Sequence, residues 1–332
     1  MDLLKGYVLT RLLQWLIVVV TGVTVTFIVP RLLPMDPLEQ TLNRVGSFQF
    51  VDPKAVQSFK ETLEDLYGLK GTLLQQYFRY WRRLLQGDLG PSLNAFPTPV
   101  IVIIRNGMPW TVGLLTCTIV ISWLLGIFLG TLAGYSPGKI WSQVLDKVLI
   151  TIYPIPYYII ALVLVIAFCY YVPIFPLVGG ASRKVSLSWS YISSILEHSF
   201  LPALSLVLGG TAFRFIMAKA LTSTIVSSDY VSYAEMAGLP RRDIMFKYVI
   251  RNTLLPQITD LGLALGAMFE GALITEVVFS YPGIGYSLYT AILQADFNLI
   301  LGIALFSIIG IATAALLIDL SYPLFDPRVR YR

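Results

Sequence analysis

Trp110-Thr-Val-Gly-Leu-Leu-Thr-Cys-Thr-Ile-Val-Ile-Ser-Trp-Leu-Leu-Gly-Ile-Phe-Leu-Gly-Thr-Leu-Ala-Gly134 runs for 25 residues without a charge. A helix needs about 20 predominantly apolar residues to cross a bilayer, so this stretch is long enough to span one. Five more stretches pass the same test: Leu9–Leu33, Val148–Val172, Leu201–Leu221, Ile258–Phe279 and Leu299–Tyr322. The first is too long for the apolar core of a secretory signal and has no small-residue cleavage site behind it, so it reads as a retained anchor. The sequence therefore predicts an all-α polytopic membrane protein with six transmembrane helices.

Composition supports this and removes other classes. Of 332 residues, 56% are hydrophobic and 13% charged, against about a quarter charged in soluble domains. The net charge of +5 does not indicate nucleic acid, because the cations flank apolar segments instead of forming one basic stripe. Two cysteines and one histidine, His198, leave too few ligands for a zinc, haem or iron–sulfur centre. Cys117 and Cys169 both lie in apolar runs, which argues against a disulfide framework.

Lysine and arginine set the orientation. Thirteen of the 24 cations fall at the amino end, in the second and fourth loops and in the tail, whereas the opposite short loops hold only Arg183 and Lys184. The segment between spans one and two carries eight more cations, but at over about 60 residues it escapes the rule. Both termini are expected to be cytoplasmic. The chain divides into 1–33 (amino end and first span), 34–97 (extracytoplasmic segment), 98–322 (membrane core of five helices) and 323–332 (tail).

Segment 34–97 is predicted to contain two short amphipathic helices. Asp52-Pro53 supplies a cap and a first-turn proline, followed by Val56, Phe59, Leu63 and Leu66 at helical spacing. Thr72-Leu-Leu-Gln75 is a capping box that opens a second helix carrying Tyr77, Tyr80, Trp81, Leu84 and Leu85. This pair either caps a pore mouth and receives a partner or rests among lipid headgroups.

Nucleotide chemistry is not legible. Gly134-Tyr-Ser-Pro-Gly138-Lys139-Ile140 is one residue short of a phosphate-binding Walker loop and lacks its Ser or Thr. Intramembrane acids cost about 3 kcal/mol each on insertion scales and mark functional sites by default. Of Asp260, Glu270, Glu276 and Asp319, Asp260 and Asp319 lie near predicted cytoplasmic ends and Glu276 near the outer end. Only Glu270 is central, and it would serve an ion-gradient-driven secondary transporter or channel, the alternative class of function. Gly126, Gly130 and Gly134, with Gly262 and Gly266, are spaced for close helix packing. Tyr153, Pro154, Pro156, Tyr157 and Tyr158 open the third span with broken backbone and clustered rings, suited either to a pore lining or to an interfacial belt. Tyr157, Glu270 and Glu276 are the candidates for a translocation path.

The most informative loop runs from Ser228 to Pro256. Ser228 can cap a short helix, Asp229 suits its positive end, and Gly238 is placed to end it in a left-handed turn. Tyr230, Tyr233, Ala234 and Ala237 fall on one face. The loop is expected to have no core of its own, so this apolar face should dock into another protein.

These residues resemble the coupling loop of permease subunits in binding-protein-dependent, type I ABC importers, in particular the oligopeptide, dipeptide and nickel branch. The match lies in Asp229-Tyr230-Val231, Ala234, Gly238-Leu239 and Arg251-Asn252 with Leu254 and Pro256. Ser232 and Tyr233 stand where the general loop has Glu and Ala. Pro34-Met-Asp36-Pro37, Gly87-Asp-Leu-Gly-Pro-Ser92, Gly271 to Glu276, Phe279, Pro282-Gly-Ile-Gly285 and Asp326-Pro-Arg328 resemble further motifs of that branch, in order, over nearly the whole chain. The resemblance implies a type I permease core over 98–322, no catalysis in this subunit, and half of a channel. The implied partners are a second homologous permease, two ATP-binding cassette subunits that hold ATP-Mg and grip the coupling loop, and an extracytoplasmic solute-binding protein, all in the inner membrane of a prokaryote. Short peptides or oligosaccharides are the expected solutes. Nickel is disfavoured because a single histidine offers few ligands.

Overall fold

The computed structural model describes residues 2–32, 61–62, 70–180, 188–270 and 272–325. It is helical throughout, with no named strand among these residues. The predicted helix near Asp52 lies outside the described residues except for Glu61 and Thr62, and the Pro34–Pro37 and Asp326–Arg328 motifs lie wholly outside them.

Helix α3 (Val100–Tyr135) contains the 25-residue apolar stretch and extends it by ten residues towards the amino end. At 1.5 Å per residue it exceeds the ~30 Å hydrocarbon layer. It lies against α6 (Trp189–Val226), the other long helix, along a seam of small residues. A Cβ on Gly126 would stand 2.5 Å from that of Arg214, one on Gly130 2.5 Å from the Phe215 carbonyl, and one on Gly134 2.8 Å from the Lys219 carbonyl. Only glycine permits this approach, so the spacing of four residues does the packing work expected of it. Helix α1 (Asp2–Leu32) packs against α11 (Phe297–Phe325). Gly22 allows close contact with Ile308, and the pairs Arg11–Asp319 at 3.2 Å and Trp15–Thr313 at 3.1 Å tie the same two helices.

Two predicted spans are broken. The third is divided into α4 (Ile140–Ile152) and α5 (Tyr157–Val165), the latter continued by a π-helical segment, Ile166–Tyr171. The two halves meet at 95°. Pro154 and Pro156 cause the turn, since neither supplies an N–H and each disfavours helix in the residue before it. The fifth is divided into α8 (Arg251–Ala267), a 3₁₀ turn over Met268–Glu270, and α9 (Leu273–Val278). Among the described residues four helices are long and apolar enough to cross a membrane alone, and the α4–α5 pair, bent by 95°, counts as a fifth if its two halves form one span. The expected sixth is in pieces.

Between α6 and α8 lies α7 (Asp229–Met236), followed by one helical turn (Arg241–Asp243) and a second π-helical segment (Ile244–Ile250) that runs straight into α8. Helix α10 (Ile284–Leu293) sits between α9 and α11. Helix α2 (Leu73–Leu85) opens with the predicted capping box, Gln75 N donating to Thr72 Oγ1 at 3.4 Å and Thr72 N to Gln75 Oε1 at 3.1 Å.

Candidate functional site

The short helix α7 is built as the loop's sequence implies, with two corrections. Gly238 has φ +73°, its N–H reaches the Glu235 carbonyl at 3.0 Å, and the Leu239 N–H reaches that of Ala234 at 3.2 Å. These are the paired bonds of a Schellman motif, in which a left-handed residue reverses the chain after the last helical turn. A side chain on Gly238 would meet nothing within 4 Å, so backbone conformation alone selects glycine here. The first correction concerns Ser228. It precedes the helix with extended backbone but makes no side-chain cap; its hydroxyl donates instead to the Ile225 carbonyl at 2.5 Å. The end of α6 competes for that hydroxyl and wins.

The second correction concerns the faces. The loop does have a core: Val231 and Ala234 are buried against Ile244 and Val249, with Tyr135, Ile225, Val226 and Tyr248 around them. Ala234, expected on the docking face, is turned inward at 6% exposure. The outward row is Tyr230, Tyr233 and Met236, at 42%, 67% and 73% exposure, with Ala237 and Asp229 exposed beside it. Met236 was missed, although it follows Tyr233 by three residues. Leu239 is 37% exposed just after the turn. The Tyr135 hydroxyl donates to the Arg241 carbonyl at 3.2 Å, fastening the returning chain to the end of α3. Arg251 and Asn252 lie beyond the π segment at the start of α8, both exposed, and Asn252 donates to its own helix at the Tyr248 carbonyl, 2.6 Å. Neither belongs to the exposed row of Tyr230, Tyr233 and Met236 on α7.

The translocation-path candidates are not brought into contact by any hydrogen bond or ring pair among the described residues. Tyr157 is the first residue of α5, 41% exposed, edge-on to Tyr158, with its Cβ opposite Gly209 of α6. Glu270 closes the 3₁₀ turn, and its side chain lies outside the described residues. Glu276, expected near an outer end, is fully buried in the subunit. Its Oε1 accepts from Thr111 Oγ1 at 2.7 Å, and its Oε2 accepts from Tyr286 N at 3.0 Å. Thr111 Oγ1 in turn accepts from Ile284 N at 2.8 Å. The carboxylate thus sits at the amide end of α10, where a helix favours an anion. Glycine is required at 283, where a Cβ would collide with the Glu276 carboxylate, and at 285, where it would stand 2.7 Å from Leu273 Cα. The Pro282–Gly285 motif is the cradle of this glutamate.

The Gly87–Ser92 motif has a comparable role. Asp88 accepts from Arg83 Nε at 2.8 Å and from Gly90 N at 2.9 Å, and those bonds outweigh partial burial to hold its carboxyl below the usual carboxylate range. Ser92 donates to the fully buried Asp296, which also accepts from Asn94 N and Leu299 N, both at 3.1 Å. Thr111 and Asp296 carried no sequence signal: each is a lone polar residue whose partner lies 165 or 204 positions away. Arg214 was counted only as a loop cation. It is buried, bonded to Asp260 of α8 at 3.0 Å and to Ser122 of α3 at 2.9 Å. Asp260 therefore has a structural partner, as does Asp319 through Arg11.

Comparison with known proteins places these features in a family. Residues 126–331, more than half of the chain, match the family described as binding-protein-dependent transport system inner membrane component. The oligopeptide transport system permease protein AppB of Bacillus subtilis is 26% identical, the alignment covering 99% of this chain and 100% of that one. The probable D,D-dipeptide transport system permease protein DdpB of Escherichia coli is 30% identical over 95% and 94%, and the oligopeptide transport system permease protein OppB of Haemophilus influenzae 27% over 98% and 99%. With an all-helical membrane fold, a glycine-terminated helix between two spans and matches of this length, the chain belongs to the binding-protein-dependent transport system inner membrane component family and is a non-catalytic permease subunit of an ABC importer.

Proposed function

We propose that this subunit forms half of the path by which short peptides enter the cell, and that α7 is the element through which ATP hydrolysis elsewhere drives it. The observation that carries the reading is the division of α7 into two faces: Val231 and Ala234 fix the helix to its own subunit, while Tyr230, Tyr233 and Met236 stand exposed. A helix so fastened transmits a push instead of absorbing it, and an exposed row of two tyrosines and a methionine suits a groove on another protein. The groove belongs to an ATP-binding cassette subunit, one of two, each holding ATP-Mg. A second, homologous permease completes the channel, and an extracytoplasmic binding protein supplies the solute. Two states with different contacts at α7 then give alternating access.

Peptide is favoured over sugar because the relatives described above are named for oligopeptide and D,D-dipeptide transport. Nickel stays disfavoured because the single histidine, His198, which meets the Ser194 carbonyl through Nδ1 at 2.7 Å, offers few ligands. Nothing in the comparisons favours an ion-driven carrier using Glu270. The cation distribution supports a cytoplasmic location for both termini and α7. Cysteine at Asn94 is then labelled from outside intact cells and cysteine at Ser228 is not, whereas the reverse pattern refutes the orientation. The coupling role is tested by a cysteine at Tyr233, which should cross-link to a cysteine in the ATPase groove. A complex that transports peptide with no cross-link at 230, 233 or 236 refutes the docking of α7.

A further inference from the structure

Helix α2 is fastened to the end of a membrane span by one face and shows a second apolar face that none of the described residues covers. Tyr77 and Tyr80 hydroxyls meet those of Thr24 and Thr26 at 2.8 and 3.2 Å, and Gln76 accepts from the Arg31 guanidinium at 2.9 Å. Phe27 packs edge-on to Tyr77 at 5.1 Å. The apolar crossing stretch of α1 is Gly6–Val29, so α2 lies across the last turns of that span, at the depth where hydrocarbon gives way to headgroups. Leu74, Phe78 and Leu85, at i, i+4 and i+11, form the uncovered stripe and are 70%, 64% and 81% exposed. Gln75, Arg79 and Arg82 make the adjoining stripe, also exposed. The ordering around the helix is therefore α1, apolar stripe, basic stripe. An amphipathic helix lying in a membrane interface needs this arrangement, with its apolar side in the acyl boundary and its cations among phosphates.

We propose that α2 is an interfacial lipid-binding helix that selects acidic phospholipid, with Leu74, Phe78 and Leu85 inserted and Arg79 and Arg82 on the headgroups. Its depth is fixed by α1, and α1 already presents apolar surface to lipid beside it, with Val20, Val25, Ile28 and Val29 exposed. An exposed stripe at that depth is continuous with the lipid-facing surface of the span. The charge is complementary as well. Arg31 is held by Phe27 and Gln76, and Arg83 is engaged by Asp88, which leaves Arg79 and Arg82 as the exposed cations of the helix. A docked binding protein would instead leave the apolar stripe in water whenever it departed. This inference does not depend on which solute is carried or on the docking of α7.

The test uses the assembled complex in nanodiscs. Both native cysteines are free, so Cys117→Ser and Cys169→Ser give a background in which Phe78→Cys carries a bimane. Leu74→Cys serves as a second reporter should the first disturb folding. Acidic phospholipid with brominated acyl chains, diluted into unbrominated zwitterionic lipid, is expected to quench the reporter more strongly than the converse mixture. Arg79→Gln and Arg82→Gln are each expected to reduce that preference about fivefold, the value of one cation near an anionic surface. Quenching equal in both mixtures overturns the headgroup selection. A reporter that neither lipid quenches, but that loaded binding protein shields, overturns the lipid assignment and makes the stripe a protein-docking face.

Discussion

Replacing Gly238 separates backbone geometry from every other contribution to coupling. Its φ of +73° lies in the left-handed region, and an added Cβ would meet nothing within 4 Å. The whole cost is therefore conformational: about 1 kcal/mol for alanine and about 2 kcal/mol for a β-branched valine, with asparagine much cheaper. Helix α7 has only eight residues and cannot absorb such a cost through its own propensity. Energies of this size change the ratio of ordered to frayed helix about fivefold for Gly238→Ala and up to about thirtyfold for Gly238→Val. Because the spans are untouched, insertion and pairing with the second permease are expected to be normal. The assay is ATPase activity stimulated by loaded binding protein, with peptide uptake, in proteoliposomes. Stimulation is expected to fall in the order Gly, Asn, Ala, Val. A Gly238→Val complex that assembles and keeps full stimulation would refute the argument, since either the turn does not need its conformation or α7 does not carry the signal.

Further substitutions test the packing among the membrane helices. Arg214→Met strands the Asp260 carboxylate and is expected to cost about 3–5 kcal/mol, while Arg214→Met with Asp260→Leu recovers most of it; thermal unfolding in detergent decides, and a double variant as unstable as the single one contradicts the account. Gly130→Val drives a side chain onto the Phe215 carbonyl and Ala218 Cβ, which stand 2.5 and 2.8 Å from even the first carbon. The yield of folded subunit is expected to collapse, and normal yield would show that the seam does not depend on close approach at Gly130. Glu276→Gln sets an amide against donors from Thr111 and Tyr286 and is expected to lower stability by about 1–3 kcal/mol; unchanged melting would mean the carboxylate does not hold α10.

The membrane class, the long helices and the Gly238 turn were legible because each rests on a local rule: length of apolar run, spacing of glycines, or one residue with a left-handed backbone. The exposed face of α7 was only half legible. Tyr230, Tyr233, Ala234 and Ala237 satisfy helical periodicity, but periodicity does not say which side of an apolar helix faces its own protein. Val231 and Ala234 turned inward because Ile244 and Val249, past the turn, return to meet them. The breaks in the third and fifth spans were partly announced by Pro154 and Pro156 and not at all by the residues around Glu270, where an apolar run conceals a change of helix type. Glu276 was misplaced for a related reason. Its position along a span suggested an end, whereas α9 has only six residues, and Thr111 of α3 and Tyr286 of α10 both donate to the carboxylate.

Two of the buried charges, Glu276 and Arg214, differ in how their partners become available during synthesis. Glu276 finds its amide donor at Tyr286, ten residues downstream, so its negative charge is met almost as soon as the segment leaves the ribosome; Thr111 is already made. Arg214 must wait for Asp260, 46 residues later. Until then α6 carries a cation with a membrane-transfer cost of about 3 kcal/mol. A nascent α6 therefore lacks its counter-charge until α8 has been made, with the Ser122 hydroxyl of α3 as the earlier partner of Arg214. The order in which the ribosome delivers the chain thus sets when each buried charge meets its partner.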